Sequence, residues 1–593
     1  MERVRRVTQG YGPFASLRVT GRALIGRVAS HRRVTGGGGK GHALHRLSLL
    51  LLAAALLSII LAACTDGQPT DTPAPRDDKG RTVLSVAYSP EKAQLFDRLV
   101  GEFNKQSKAY SVKSTKLEMA DMLTQAADGK FTAISPDSAI WLGSLDQAWL
   151  AADSSRSPIV GSLSRYALSP VVVAMWQSEA QKMGYPGKAI GWSDLVARAT
   201  AEPSFRWSHP STTTAAGLLT VAAEFYASRG KTSQLTRDDL QNPAALDYVR
   251  KVEQTIQQYG AESEDQILAR LLDQRTRTVD AFVGQEALVV RYNRQTKGEK
   301  LVAVYPREGT LWMDHPLVLL EGPWLTPDQR RGFKELSDFL RSNATQKLVL
   351  QEGYRPTDLS IAIDEPSSPI SLANGVDPAQ PQTLLQVPSA SVLESIRSSW
   401  ALLKRPANIY LVADVSGSMG EDEKLTRARD ALLSFVGQVK SDSDRLALSA
   451  FASDVQEVVP LDKLLTNRTR LSTAVNGLRA NGNTALYDAI LVAAEKLHAQ
   501  RDLSRINVVL AMTDGKENAS KRVNNRAGSQ PLVTALKDLE KRSGVPVLVF
   551  TVAYGSDADF DVLRQIAEST RGQAYKGDPE TIRKLYQLLS ALF

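Results

Sequence analysis

Hydrophobic and polar positions alternate along this chain in a way that predicts short strands followed by amphipathic helices. In the N-terminal half, residues 83–88 form an apolar run, and residues 91–106 place Leu95, Leu99 and Phe103 on one helical face. The same alternation continues to about residue 358. It predicts strands at 111–117, 139–142, 170–176, 279–283 and 288–292, and helices at 192–201, 215–229, 244–259, 265–275, 327–341 and 344–351.

A second alternating stretch fills the C-terminal third. Apolar runs predict strands at 409–413, 446–450, 508–512 and 545–552, and amphipathic segments predict helices at 424–440, 486–500 and 531–542. Strands that alternate with helices indicate a mostly parallel sheet covered on both faces. The sequence therefore predicts an α/β protein with a doubly wound C-terminal domain.

The run 409–413 ends in Asp414-Val415-Ser416-Gly417-Ser418. A carboxylate and two hydroxyls at alternate positions can converge if the chain turns sharply, as Gly417 and Gly420 permit. These oxygen ligands suit a small hard cation such as Mg²⁺. The alternative is that Asp and Ser only cap the next helix.

Two further segments favour the metal. Gly482-Asn483-Thr484 places a threonine on a tight turn before a helix, and Asp514-Gly515 ends the apolar run 508–512. In order and spacing these segments resemble the von Willebrand factor type A (vWA) family over residues 404–593. One departure is Asn483, where the family often has a second glycine. The resemblance implies a Mg²⁺ (or Mn²⁺) site that completes its coordination with an Asp or Glu of a partner protein, formed by Asp414, Ser416, Ser418, Thr484 and Asp514.

Hydroxyl side chains cluster before the predicted helix at 215. Ser211-Thr212-Thr213-Thr214 and the free backbone N–H groups of a helix start would favour an anion, although a plain helix cap needs only one hydroxyl. Together with Ser89-Pro90, residues 169–176 and 353–356, this segment resembles extracellular solute-binding proteins. The resemblance implies two α/β lobes around a cleft.

From the hydroxyl cluster at the helix start we expect a small anionic solute between the two lobes, near Ser89, Ser211, Thr212 and Thr213. Arg291 and Arg355 could supply counter-charge, but solvated surface positions are the default for arginine. Trp141, Trp207 and Tyr292 are predicted to belong to the core.

The N-terminus has the pattern of a secretion signal. Arg46 precedes seventeen residues, 47–63, that form an apolar core too short for a typical membrane span. The ending Leu61-Ala62-Ala63-Cys64 resembles the lipobox of bacterial lipoproteins, which implies a lipid on Cys64. An uncleaved membrane anchor is the alternative, and the long basic segment before the core suggests a true start near Val34.

The basic charge belongs to this leader. Residues 1–63 carry ten Lys and Arg against the single acid Glu2, a net +9, whereas the whole chain carries +8, so the remainder carries −1. The mature surface therefore offers no argument for nucleic-acid binding.

The predicted organisation is a signal peptide (1–63), a lipidated flexible tether (64–80), a solute-binding-like domain (81–358), a proline-rich linker with a short helix (359–403) and a vWA domain (404–593). These features place the protein at the outer face of the bacterial cytoplasmic membrane. No zinc-hydrolase motif or nucleophile elbow is present, and the histidines after the leader, His209, His315 and His498, have no partner at metal-ligand spacing. His498 is predicted at the surface, so we expect a non-enzyme.

Two functions compete. The first is a tethered adhesion or scaffold protein whose metal grips an acidic partner, with the other domain as sensor or platform. The second is a solute receptor of a membrane transport system with an accessory vWA domain. A third, a chelatase-like assembly factor, is disfavoured because its ATPase partners are cytoplasmic.

Overall fold

A computed structural model describes residues 74–256, 259–260, 267–268, 271–272, 279–439, 441, 443–578, 582–583 and 586. It has the predicted mixed α/β fold, with three sheets. The signal peptide, Cys64 and most of the tether lie outside the described residues, as does most of the predicted helix at 265–275.

The first domain alternates strands and helices largely as predicted. Its strands are β1 Thr82–Tyr88, β2 Tyr110–Lys116, β3 Ala133–Ser135, β4 Val160–Arg165, β5 Ser169–Trp176, β6 Trp207–Pro210, β7 Tyr259–Gly260, β8 Ala281–Gln285, β9 Leu301–Val304, β10 Trp312–Met313 and β11 Pro316–Leu320. Its helices are α1 Ala93–Gln106, α2 Met119–Ala127, α3 Leu142–Ala152, α4 Gln177–Lys182, α5 Trp192–Ala201, α6 Ala215–Arg229, α7 Arg237–Gln241, α8 Pro243–Glu253, α9 Glu286–Gln295, α10 Pro327–Arg341 and α11 Asn343–Gln351.

These strands form two sheets, one in each lobe. The first has the order β2-β1-β3-β11-β4, and the second has the order β10-β5-β8-β6-β7 with β9 also paired to β5. β11 runs antiparallel to β3 and β4, so the chain returns to the first sheet after building the second. This return produces the two-lobed architecture.

Two predicted strands are wrong. Residues 288–292 belong to helix α9, in which every residue from Glu286 to Asn293 is buried. A helix buried on all sides shows no polar face, so its apolar run resembles a strand. Residues 139–141 form a 3₁₀ turn before α3, because Asp314 Oδ1 accepts from the Ala139 N–H at 2.8 Å and Ser138 Oγ from that of Ile140 at 3.4 Å.

The C-terminal domain follows helix α12 Ala390–Leu403 after three residues. Its strands are β12 Ala407–Asp414, β13 Arg445–Phe451, β14 Val455–Lys463, β15 Ile506–Thr513, β16 Val547–Tyr554 and β17 Ala574–Gly577, and its helices are α13 Lys424–Gln438, α14 Leu464–Gly477, α15 Leu486–Gln500, α16 Gln530–Ser543 and α17 Phe560–Ser569. The sheet order is β14-β13-β12-β15-β16-β17, parallel except for β14. Every residue of β12, β15 and β16 is buried, as expected of central strands with helices on both faces.

Candidate functional site

The two predicted metal carboxylates meet at the edge of the C-terminal sheet that is formed by the carboxyl ends of its parallel strands. Asp414 is the last residue of β12, and Asp514 directly follows β15. These strands are parallel neighbours with Ala413 opposite Met512. Both carboxylates are buried, at 0% and 1% exposure. Adjacent parallel strands therefore bring together two residues a hundred positions apart.

Hydrogen bonds connect the pentad, residues 414–418, to Asp514. Asp414 Oδ1 accepts from the Ser416 backbone N–H at 2.7 Å, and Ser416 Oγ lies 3.2 Å from Ser418 Oγ. Ser418 Oγ in turn donates to Asp514 Oδ1 at 2.7 Å. A chain of hydrogen bonds thus links four of the predicted metal residues, Asp414, Ser416, Ser418 and Asp514.

The fifth residue, Thr484, reaches the same place on the turn before α15. Gly482 takes the left-handed conformation (φ +75°), and its carbonyl accepts from the Gly417 N–H at 3.0 Å, which ties this turn to the pentad. A Cβ placed on Gly515 would lie 3.5 Å from Thr484 Oγ1 and 3.8 Å from Ser418 Oγ. Thr484 and Ser418 therefore both face the loop that carries Asp514.

Three contributors to this site were missed. Thr513 Oγ1 donates to Asp414 Oδ2 at 2.5 Å, and Asn518 Oδ1 accepts from the Thr484 N–H at 2.8 Å. Lys424 Nζ donates to Asp514 Oδ2 at 2.9 Å. The only sequence signal for Thr513 and Asn518 was their position close to Asp514. Lys424 gave no such signal, because it lies at the start of a helix that follows another loop.

The donor set fits a small divalent cation. Ligands at neighbouring corners of an octahedron around Mg²⁺ lie about 3 Å apart. The oxygen pairs Ser416–Ser418 and Ser418–Asp514 are separated by 3.2 Å and 2.7 Å. Burial raises the pKa of Asp414 to about 6, an effect that hydrogen bonds from Thr513 and Ser416 oppose. A nearby dication would favour the ionised form of such a carboxylate.

The predicted solute residues of the first domain lie at the junction of its lobes. Ser89, Ser211 and Thr212 are buried, while Thr213 is exposed. Ser89 Oγ donates to Glu91 Oε1 at 2.6 Å. The cap of α6 is Thr214, whose Oγ1 accepts from the Gly217 N–H at 3.1 Å.

A carboxylate of the protein itself occupies the start of α6. Asp137 follows β3 of the first lobe, and its Oδ2 accepts from the Ala215 N–H of the second lobe at 3.1 Å. Burial raises the pKa of Asp137 to about 7, reinforced by Glu91 and opposed by Lys92. Lys92 is itself fully buried and donates to the Pro136 carbonyl. An acidic group of the chain therefore lies where the sequence suggested a solute anion.

Several side chains assigned to the surface are buried. Arg291 and Arg355 are 6% and 7% exposed, and Arg355 forms two hydrogen bonds with Glu286, at 2.8 Å and 2.7 Å. His498 is 5% exposed and lies 2.8 Å from Ser543 Oγ, so its predicted surface position is wrong. Trp141, Trp207 and Tyr292 are buried, as predicted. The buried polar residues have partners from distant segments, which sequence spacing does not reveal.

A further polar group escaped the sequence analysis. His209, Glu224 and Glu253 lie together inside the second lobe and are all buried. The only sequence signal was Glu224, the one charged residue among the first fourteen residues of α6.

None of the helices among the described residues combines the length and apolar character that a membrane crossing requires.

Comparison with known proteins finds two families. The model of the bacterial extracellular solute-binding proteins matches residues 84–355, and that of the von Willebrand factor type A domain matches residues 408–587. The first family consists of extracellular proteins, and both families typically act in binding or adhesion. vWA domains commonly bind a divalent metal. Inter-alpha-trypsin inhibitor heavy chain H2 of Sus scrofa is 23% identical over 199 residues, which cover 31% of this chain and 20% of that protein. The chain thus spans about a fifth of that relative's length.

Solved structures resemble the two parts separately. A von Willebrand factor type A protein from Catenulispora acidiphila is 23% identical, with a TM-score of 0.27, over 32% of this chain and 43% of its own. The sulfate-binding protein SubI of Mycobacterium tuberculosis H37Rv is 17% identical, with a TM-score of 0.35, over 48% of this chain and 89% of its own. A periplasmic thiamin binding protein is 12% identical, with a TM-score of 0.40, over 55% and 98%.

The family matches agree with the sheets and with the order of the motifs along the chain. The chain therefore joins a bacterial extracellular solute-binding domain, residues 84–355, to a C-terminal von Willebrand factor type A domain, residues 408–587.

Proposed function

We propose that the C-terminal domain binds one Mg²⁺ or Mn²⁺ and, through it, an aspartate or glutamate of a partner protein. Ser416, Ser418 and Thr484 would be direct ligands, and Asp414 and Asp514 direct or water-bridged ligands. The supporting observation is the convergence of these oxygen donors from three loops at one edge of the sheet. Because some contacts would pass through water, a coordination position remains for the partner.

The charge of the site favours an anionic partner. The two carboxylates contribute −2 and the Lys424 ammonium contributes +1. A dication would bring the total to +1, so an incoming carboxylate is attracted to a site with net positive charge. Metal bound by two carboxylates without the lysine would be neutral overall.

Calorimetric titration of the full chain tests the metal site. We expect wild type to bind one Mg²⁺ or Mn²⁺, Asp414→Ala to bind none, and Ser416→Ala to bind more weakly, because it loses a neutral ligand only. Asp454→Ala is the matched control, since Asp454 is an exposed aspartate near the same edge and pairs with Lys521. Equal metal affinity in wild type and Asp414→Ala would make the pentad a helix cap and remove the basis of this function.

The partner is tested separately. An immobilised acidic peptide should retain the metal-loaded wild type and release it on addition of a chelator. The Asp414→Ala variant should not be retained. Retention that survives the chelator would mean that the partner binds another surface.

For the first domain we propose a platform role, with solute binding at Ser89, Ser211, Thr212 and Thr213 as the second candidate. The Asp137 carboxylate already accepts from the start of α6, so a solute anion would have to displace it. The family match keeps the solute-receptor alternative open. A melting-temperature screen of anions, sugars and peptides distinguishes the two, because a ligand of the folded state raises the melting temperature.

We further propose that Cys64 is lipidated, that residues 1–63 are removed and that residues 64–80 tether the protein to the outer face of the bacterial cytoplasmic membrane. Residues 81–358, 359–403 and 404–593 would then be the solute-binding-like domain, the linker and the vWA domain. The motive is the Leu61-Ala62-Ala63-Cys64 sequence at the end of a short apolar core.

A further inference from the structure

A histidine and two glutamates from three separate elements meet inside the second lobe of the first domain. His209 lies on β6, Glu224 on α6 and Glu253 at the end of α8. Their exposed fractions are 1%, 0% and 0%. One nitrogen or oxygen atom from each side chain lies within 4.8 Å of the corresponding atoms of the other two. The group is thus compact and shielded from water.

The hydrogen bonding of His209 directs Nε2, and not Nδ1, toward Glu253. Nδ1 lies 2.7 Å from the Pro210 carbonyl oxygen, which can only accept, so Nδ1 carries a hydrogen. In the neutral ring Nε2 then has a lone pair, and it lies 3.2 Å and 3.4 Å from the two Glu253 oxygens. A lone pair facing a carboxylate is repelled unless a proton or a metal ion lies between them. A histidine that binds a metal usually donates its other N–H to such a carbonyl.

Glu224 supplies an independent observation. It is 0% exposed, and neither of its carboxylate oxygens has a hydrogen-bond partner. Burial and the nearby charge of Glu253 raise the pKa of Glu224 well above its usual range. An ionised carboxylate buried without a partner is strongly unfavourable. The side chain therefore needs a cation or a proton close to it.

We propose that His209, Glu224 and Glu253 form a binding site for a divalent transition-metal cation of the zinc class. One imidazole nitrogen and two carboxylate oxygens suit such an ion better than Mg²⁺ or Ca²⁺, which prefer oxygen alone. Tetrahedral ligands at about 2.0–2.2 Å from zinc lie about 3.4 Å from one another. The three atoms lie within 4.8 Å of one another. Binding the ion would therefore draw these side chains together by about 1 Å.

The site would also fix the helix that leads into the vWA domain. Trp400 of α12 donates from Nε1 to Glu253 Oε1 at 2.9 Å. A cation held by Glu253 would orient the carboxylate that anchors Trp400. The role is structural and does not depend on the metal at the edge of the C-terminal sheet.

The test uses the full chain without a histidine tag, stripped with a chelator and kept in excess Mg²⁺ to fill the edge site. Titration of Zn²⁺ against a chromophoric chelator should show one Zn²⁺ per chain and a rise in melting temperature. Glu224→Gln should weaken Zn²⁺ binding about 100-fold or more and abolish the rise. Without metal its melting temperature should equal or exceed that of wild type, because a buried acid has been replaced by a neutral side chain of the same shape.

Asp414→Ala is the control and should bind this Zn²⁺ like wild type. If Glu224→Gln fails to fold, His209→Gln and zinc-edge X-ray absorption of the wild type decide, since the spectrum must show a nitrogen ligand and no sulfur. A folded wild type that binds no Zn²⁺, unaltered binding in Glu224→Gln, or a spectrum without nitrogen would each overturn the proposal. In those cases a proton, not a metal, lies between these side chains.

Discussion

Lys424 Nζ lies 2.9 Å from Asp514 Oδ2, so an ammonium group of the chain already contacts a carboxylate of the proposed metal site. The two side chains are 13% and 0% exposed, which limits screening by water. Although burial opposes it, the hydrogen bond to Asp514 raises the pKa of Lys424, so the lysine stays charged at neutral pH. The positive charge of Lys424 should weaken the binding of a metal cation and strengthen the binding of an acidic partner.

Lys424→Met should therefore raise Mg²⁺ affinity and lower the affinity of the metal-loaded protein for an acidic peptide. Removing a positive charge next to Asp514 relieves its repulsion of the dication, and we expect a gain of about tenfold. Calorimetry of both steps measures the effect. Lys496→Met, which removes a lysine paired with Glu457 away from the site, should change neither affinity. A parallel change in both affinities would contradict the proposed charge balance.

Asp137 should make stability depend on pH. Its pKa is raised to about 7 from an ordinary value of 3.8, so the folded state holds this proton more tightly than the unfolded state. The resulting stabilisation is complete below about pH 4 and is lost as the pH rises through 7. Asp137→Asn should thus gain stability relative to wild type between pH 4.5 and 7.5, by about 2 kcal/mol or more.

Melting temperatures of the two proteins across this range provide the measurement. Asp561→Asn serves as control because the Asp561 side chain is 82% exposed. Parallel curves for wild type and Asp137→Asn would show that Asp137 does not titrate there.

Breaking the buried ion pair Arg355–Glu286 should lower the free energy of unfolding far more than breaking an exposed pair of the same type. Its side chains are 8% and 0% exposed. Glu286→Gln leaves a buried guanidinium uncompensated and should lower the free energy of unfolding by about 3 kcal/mol. Glu321→Gln breaks the pair with Arg330, whose side chains are 53% and 31% exposed, and should cost about 1 kcal/mol or less. Denaturant unfolding measures the stability of both variants. Equal losses of stability would contradict the prediction that burial makes the Arg355–Glu286 pair more important.

Lipidation predicts a difference in labelling and location. Wild type should incorporate a radiolabelled fatty acid and sediment with membranes, whereas Cys64→Ser should not incorporate the label. The chain has one cysteine, so no other thiol can take the lipid. Equal labelling of the two proteins would exclude the lipobox interpretation.

The sequence predicted those features of the fold and site that are local. Apolar runs identified β1, β5, β12 and β15, and the motifs at their ends identified Asp414 and Asp514, because parallel neighbours end at a common edge. Lys424 was not identified, since a lysine at a helix start looks like any solvated charge. Its role depends on the tertiary contact of Lys424 with Asp514, 90 residues further along the chain.

The larger errors share one cause. α9 was predicted as a strand because it is buried on every side, and Arg355 was assigned to solvent because its partner Glu286 is 69 residues away. Likewise, the contacting residues His209 and Glu253 are 44 residues apart in the sequence, and Glu253 and its partner Trp400 are 147 residues apart. The hydrophobic pattern of a sequence reports the faces of a single helix or strand. It therefore misses buried polar side chains whose hydrogen-bond partners come from distant segments.

The three-residue connection between α12 and the C-terminal domain has a mechanical consequence. Arg405, between α12 and β12, donates to the Ile256 carbonyl of the first domain at 3.1 Å and to the Leu503 carbonyl of the second at 2.6 Å. β12 begins two residues later, pairs with a strand on each side and ends at Asp414. A partner that pulls on a metal at Asp414 would therefore load β12 along its length. The tension would pass through Arg405 and α12 into the first domain, without a slack segment to absorb it.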